Sequence, residues 1–341
     1  MAATHPQFHD VHNVDKYEHY AARYDPDWAE DRRHDAARRR GGKKSQQEII
    51  SELAEEAEGL EAGFITTYQP ARYEGPFLLE AIRPFYDLDL IVDVLANVKG
   101  GKEANVYRCR ADPALGVEYL AAKVYRPRRF RNLRNDKMYR EGRALLLAGG
   151  REVKANERRI VHAVQKRTEF GLQVAHSSWL MYEYTTLEKL HRAGAHTPKP
   201  FAVSDNAILM QYIGDGTRAA PTLHGLRPGP AEARRLFDIV IEDVERMLQI
   251  GVVHGDLSAY NILYWEGEIT LIDFPQVTDI YANAHARRIL QRDLQRLCGY
   301  FAGCGVRCNA NDLAAALWQR YRPGSAAEML ADLSRLEEEA E

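Results

Sequence analysis

The run His254-Gly255-Asp256-Leu257-Ser258-Ala259-Tyr260-Asn261 is followed, after two short apolar stretches, by Leu271-Ile272-Asp273-Phe274. Three oxygen-bearing side chains therefore recur at fixed spacings. Asp256 can accept or orient a proton on an attacking group. Asn261, five residues later, and Asp273, at the end of an apolar strand predicted over 269–272, offer hard oxygens to a divalent cation. A few residues of loop let Asp256 and Asn261 turn towards one place, and a short strand at 262–264 separates the two metal ligands and holds them rigidly. A lone aspartate in a loop is more often a cap or turn residue; the ordered set carries the assignment.

The spacing D-x-x-x-x-N matches the catalytic loop of kinases. A second group supports phosphate chemistry. Gly100-Gly101-Lys102-Glu103-Ala104-Asn105-Val106-Tyr107 lies between two predicted strands, and adjacent glycines let backbone N–H groups approach phosphate oxygens. It is neither a Walker A loop, since Glu103 follows Lys102, nor the full G-x-G-x-x-G pattern. Next comes Ala121-Ala122-Lys123-Val124-Tyr125, where one lysine sits in an apolar strand. An unpaired ammonium there is costly, and a phosphate and a carboxylate would relieve it; the alternative is a lysine on the exposed face of an edge strand. Glu183 is the chosen carboxylate, because Glu183, Leu187 and Leu190 share one helical face. Glu141 is the competitor, in a basic stretch weakened as a helix by Gly142.

These side chains need positioning elements. Strands are predicted over 89–98, 105–109 and 117–125, the last two joined as a hairpin, and a further hairpin over 201–203 and 207–213 turns at Ser204-Asp205-Asn206. Helices are predicted over 77–85, 231–250 and 287–301, the latter two with apolar residues on one face. Gly251 ends the second, and Ser325 and Glu328 form a capping box for a last one. Residues 47–58 read as a short acidic helix. Strands first and helices later argue α+β with two lobes. The chain shows no internal repeat.

The chain has 341 residues, about two domains by size. With 45% hydrophobic and 28% charged residues it has a globular composition. No apolar run approaches the length of a membrane span, and the first residues lack the apolar core of a signal peptide. Cys109, Cys298, Cys304 and Cys308 are too few for a disulfide-built scaffold, so we expect core or surface cysteines in a reducing cytoplasm. Residues 1–47 read as a disordered basic, histidine-rich tail: either solvated or an arm that contacts RNA. Net charge is −3, yet 126–167 holds 14 Lys or Arg and 4 Asp or Glu, a balance of +10 that leaves −13 for the rest. That segment either contacts an anionic partner or is a solvated helical face with a mobile loop.

GGKEANVY, AAKVY, HGDLSAYN and IDFPQ, in that order and spacing, resemble the RIO family of atypical serine/threonine protein kinases over about residues 90–302. GKEANVY is similar to the type-one branch and IDFPQ to the type-two branch. The resemblance implies a two-lobed, protein-kinase-like α+β fold. A short helical extension would cover 48–88. A β-rich N-lobe over 89–213 would carry a basic flexible insertion at 126–170, with an extra helix near 153–170. A helical C-lobe over 214–341 would lack a long activation segment. Only about a dozen residues separate Asp273 from the next predicted helix, with no A-P-E, and 60 separate Lys123 from Glu183.

The resemblance further implies ATP and Mg²⁺ as cofactors. Lys123 would bind the ATP phosphates and pair with Glu183, while Gly101, Lys102 and Glu103 would lie in the phosphate-binding loop. Met210, Gln211 and Ile213 would form the hinge whose backbone meets adenine, and Ser258 joins the nucleotide-binding set. Asp256 would be the catalytic acid/base, Asn261 and Asp273 the Mg²⁺ ligands, and Asp293 an anchor for the catalytic loop. An aspartyl-phosphate on Asp273 would be open to it. The rival readings are a small-molecule phosphotransferase of the aminoglycoside or choline type, and a kinase-like ATPase scaffold on a ribosomal particle. RNA or such a particle is the expected partner of the 126–167 segment.

Overall fold

The computed structural model describes residues 66–321 apart from 72–73, 102, 127–142, 155 and 167. Lys102, Glu141, the 1–47 tail, the 47–58 helix and the Ser325/Glu328 capping box lie outside these residues. Strand β1 (Ile91–Lys99), β2 (Ala104–Ala111), β3 (Tyr119–Tyr125), β4 (Pro200–Val203) and β5 (Ala207–Gln211) form one antiparallel sheet in the order β1-β2-β3-β5-β4. The β2–β3 connection turns through a single 3-10 turn. Asp112 caps it by accepting from the Ala114 N–H at 2.8 Å, and Gly116 closes it at φ 69°.

Alternation along β3 decides what the sheet does. Leu120, Ala122 and Val124 point to one face, where they pack with Leu78, Ile82 and Phe85 of helix α1 (Gly75–Asp87). Ala121, Lys123 and Tyr125 point to the other. Tyr125 packs with Trp179 and Leu180 of helix α3 (Glu169–Arg192), its ring 4.8 Å from that of Trp179 and nearly perpendicular to it. Thr168 caps α3 by accepting from the Gly171 N–H at 3.1 Å. The sequence marks only the second half of this helix, through the face shared by Glu183, Leu187 and Leu190; the structure begins it at Glu169. Before it comes helix α2 (Arg158–Lys166), shorter than the 153–170 expected from the family.

The rest is mainly helical. Helices α4 (Pro230–Gln249), α5 (Ala286–Ala302) and α6 (Ala310–Tyr321) bury Leu236, Phe237, Val240, Leu290, Leu294, Phe301 and Leu317 in one core. Strands β6 (Val252–Val253) and β9 (Thr278–Asp279) pair, as do β7 (Ile262–Trp265) and β8 (Glu268–Leu271). The β7–β8 turn places Glu266 and Gly267 at φ 50° and 90°, the two positive angles of a tight hairpin. The α+β expectation holds, with strands gathered first and helices last.

Two further features depart from the sequence reading. Cys298 and Cys308 form a disulfide, joining α5 to the chain before α6, whereas the sequence reading left all four cysteines unpaired. Ten residues apart, they fit no cysteine-spacing signature. Helix α6 is also absent from the sequence reading, since its apolar residues are spread among alanines.

Candidate active site

Lys123 is 8% exposed and donates to two carboxylates at once: Glu183 Oε1 at 2.6 Å and Asp273 Oδ1 at 2.5 Å. Strand β3, helix α3 and the end of β8 thus meet at one ammonium. Burial opposes its charge, but Asp273 and Glu183 override this and raise the Lys123 pKa well above the ordinary lysine value. The Tyr125 hydroxyl, two residues along the same strand face, donates to Glu183 Oε2. Burial, reinforced by Glu183, keeps that phenol protonated far above its usual range. Glu183 is therefore the residue that the structure brings to Lys123. Tyr125 could have been found from sequence by its i+2 spacing from the lysine.

Asp273 has φ 73°, a left-handed conformation that few non-glycine residues adopt. Its side chain is 42% exposed, so desolvation, which would raise its pKa, is partial. The Lys123 ammonium prevails and holds the carboxyl below its usual range.

The 254–261 loop, the candidate catalytic loop, follows β6. Gly255 has φ 86°, and a Cβ there would meet the Gln276 carbonyl oxygen at 2.1 Å, so the loop and the segment after Asp273 pack backbone to backbone. Asp293 on α5 is buried and accepts from the Gly255 N–H at 2.9 Å. Burial raises its carboxyl pKa. Arg292 donates to the Gly255 carbonyl. The His254 ring packs on Phe274, with Nε2 3.2 Å from the Ile272 carbonyl oxygen.

Asp256 is held from two sides. Arg296 Nη1 donates to its Oδ1 at 2.7 Å, and Asn261 Nδ2 donates to its backbone carbonyl at 2.8 Å and to Oδ2 at 3.2 Å. Arg296 escapes sequence reading because its link to Asp256 spans 40 residues. The Asn261 amide is oriented with its nitrogen spent on Asp256, so its oxygen is the atom that could meet a cation. The Ile272 N–H bonds the Asn261 carbonyl at 3.0 Å and ties the loop to the strand before Asp273. Ser258 starts the short 3-10 turn that carries Asn261.

One carboxylate and one amide oxygen suit Mg²⁺, which takes few protein ligands and completes its shell with phosphate and water. Among the described residues no cluster of three His, Cys, Asp or Glu could hold a metal unaided.

The glycine loop is pinned through Asn105. Its Oδ1 accepts from the Gly101 N–H at 3.4 Å and from Arg126 at 3.3 Å, and its Nδ2 donates to the Tyr107 hydroxyl at 3.0 Å. Tyr107 in turn donates to buried Glu74. A Cβ on Gly101 would lie 2.7 Å from the Ala104 carbonyl oxygen. The Glu103 carbonyl accepts from the Arg126 N–H at 2.8 Å. At the far end of the sheet, Met210 pairs with Ala121, two residues before Lys123. The Gln211 N–H donates to the Lys199 carbonyl at 2.8 Å, and the Ile213 carbonyl accepts from Ala220 at 2.9 Å. Those two backbone groups are committed within the chain.

The family model described as the RIO domain matches residues 137–313, more than half of the chain. The chain belongs to this family. It is 31% identical over 229 residues to the serine/threonine-protein kinase RIO1 of Chaetomium thermophilum, a match covering 64% of this chain and 41% of the relative. It is 30% identical over 221 residues to the RIO-type serine/threonine-protein kinase Rio1 of Haloferax volcanii, covering 63% of this chain and 66% of that one. The first relative is thus spanned for less than half its length. Among solved structures, the Rio2 kinase-ADP/Mg²⁺-phosphoaspartate complex from Chaetomium thermophilum aligns over 89% of this chain and 88% of its own. The identity is 20% and the TM-score 0.47.

Proposed function

We propose that the protein is an ATP- and Mg²⁺-dependent phosphotransferase of the RIO type acting on serine or threonine of a protein. The observation that carries this reading is the Lys123 ammonium bound at once to Glu183 and Asp273. A lysine so placed has the charge and reach to hold phosphate oxygens, and its carboxylate partners fix where it points. Asp273 and the Asn261 oxygen would hold Mg²⁺, which neutralises charge on the phosphates when bound. The Gly100–Gly101 loop, with Lys102 and Glu103 beside it, would cover the phosphates. Met210, Gln211, Ile213 and Ser258 complete the nucleotide set.

Asp256 orients the acceptor hydroxyl. Its two oxygens are anchored by Arg296 and Asn261, so it presents a fixed carboxylate rather than a swinging one.

The domain reading that goes with this is an N-lobe over 89–213 and a C-lobe over 214–341. We assign RNA or a ribosomal particle to the basic 126–167 segment, where α2 exposes Arg158, Arg159 and Lys166. No described helix is long and apolar enough to cross a membrane; we place the protein in the cytoplasm.

Labelled ATP with Mg²⁺, generic protein acceptors and an aminoglycoside panel tests the reading. Phosphoserine or phosphothreonine supports it. A phosphorylated aminoglycoside overturns it, and acid-labile phospho-aspartate alone points to an ATPase scaffold. Asn261→Ala and Asp273→Ala should each weaken Mg²⁺-dependent nucleotide binding.

A further inference from the structure

Arg143 lies near the middle of the basic 126–167 segment, and the sequence gives it no role beyond charge. In the structure it is turned inward. Its Nη2 donates to two backbone carbonyls, Pro275 at 3.0 Å and Val277. Its guanidinium carbon sits 5.3 Å from the centre of the Tyr182 ring. Nε and Nη1 are buried without a hydrogen-bond acceptor among the described residues. That is a costly place for a cation, and burial lowers its pKa to about 10, which still leaves it charged at neutral pH.

The contacts show what the cost secures. Tyr182 immediately precedes Glu183 on α3, and Pro275 and Val277 lie two and four residues after Asp273. Lys123 joins Glu183 to Asp273. Arg143 joins the same two elements a second time, through different atoms. The 275–277 segment is also pressed against Gly255 of the catalytic loop, where the Gln276 carbonyl leaves no room for a Cβ. The chain after Asp273 is therefore held between the catalytic loop and an arginine supplied by the insertion. The chain around Arg143 is itself fixed to α3, since the Leu146 N–H donates to Ser178 Oγ at 2.9 Å.

We propose that Arg143 is a positioning residue for Mg²⁺: by fastening the Pro275 and Val277 carbonyls it keeps Asp273 where the cation needs its carboxylate. This rests on the phosphotransferase reading above. It gives the insertion a defined task at the metal site, performed where ordinary kinases use a long activation segment. A lysine would serve only in part. It supplies the charge, but not a planar group that donates to two carbonyls while lying over an aromatic ring.

The test is a Mg²⁺ titration of fluorescent ADP-analogue binding, run beside amide hydrogen exchange on the nucleotide-free protein. Arg143→Ala should raise the Mg²⁺ midpoint about 10-fold, the loss typical of a residue that supports a metal ligand. It should speed exchange at 274–279 and leave Mg²⁺-free nucleotide affinity unchanged. Arg143→Lys should recover part of both effects. If Arg143→Ala fails to fold, Tyr182→Leu, which removes the ring beneath the guanidinium and the hydroxyl that bonds the Ala144 backbone, should shift the midpoint in the same direction by a smaller factor. A folded Arg143→Ala or Tyr182→Leu protein with the wild-type midpoint overturns the proposal and leaves the phosphotransferase reading standing. Wild-type protein that binds the nucleotide with no need of Mg²⁺ overturns both.

Discussion

Arg296 and Asp256 form a 2.7 Å ion pair between helix α5 and the 254–261 loop, with the arginine side chain 17% exposed and the aspartate 36%. The candidate acid/base is thereby fixed from outside its own loop. Arg296→Ala should lower kcat by about 10- to 100-fold through loss of orientation, with KM for ATP nearly unchanged. Arg296→Lys, which keeps the charge but not the guanidinium geometry, should recover part of the loss. Steady-state kinetics on a protein acceptor decide it; an equal rise in KM for ATP would show that the pair serves nucleotide binding instead.

Lys123 and Glu183 should behave as one unit. Breaking a buried pair of this kind costs on the order of 3–5 kcal/mol. Lys123→Met and Glu183→Gln, measured singly and together by ATP turnover, should be strongly non-additive. Tyr125→Phe should be milder, since it removes one donor to Glu183 and leaves the ammonium in place. Additive losses for the first two would remove Glu183 from the nucleotide site.

Asp273 sets an acid limit on this arrangement. Its folded pKa is depressed by Lys123, so its stabilising contribution is fully present above the unfolded carboxylate value and is lost as pH falls towards the lower folded value. The difference in Tm between wild type and Asp273→Asn should be constant from pH 7 to about 5 and shrink below about pH 4. Thermal scans across that range check the sign; a difference that shrinks as pH rises from 5 to 7 would contradict it.

Neutralising Arg128, Arg129, Arg131 and Arg134, which lie outside the described residues, should flatten the salt dependence of RNA binding. Each lost phosphate contact removes roughly 0.7 to 0.9 from the log–log slope. ATP hydrolysis should survive. An unaltered slope would return the segment to a solvated loop.

The Cys298–Cys308 bond closes a loop of ten residues, and its reduction should lower stability by about 2–3 kcal/mol on the chain-entropy model. Thermal unfolding with and without a reductant measures this. Cys109, buried and with its thiol pushed up to about 12, should resist alkylation in the native state.

What could be read from sequence follows a physical divide. The spacing of Asp256, Asn261 and Asp273 is local, set by a loop and a short hairpin, and so is visible in the order of residues. Strand alternation around Lys123 and the amphipathic pattern of α4 and α5 are equally local, and those elements lie within a few residues of their predicted bounds. Glu183 was reachable because helical spacing places it with Leu187 and Leu190. Arg296, Arg143 and Glu74 were not, because each reaches its partner across a long stretch of chain at a spacing that no motif records. The disulfide was hidden because a ten-residue gap between cysteines matches no spacing signature.

The alternation of β3 has a consequence for how this chain can vary in length. Leu120, Ala122 and Val124 serve the packing against α1, while Ala121, Lys123 and Tyr125 serve the cleft, so the strand is read in two phases at once. Deleting a single residue within it would send the ammonium into the hydrocarbon and a methyl group to the carboxylates, a double fault that no neighbouring substitution repairs. The exposed 112–118 connection sits just upstream and closes through its own cap, so gains and losses there leave the phase untouched. Length variation among descendants of this sequence should therefore collect in that connection and stop abruptly at Tyr119.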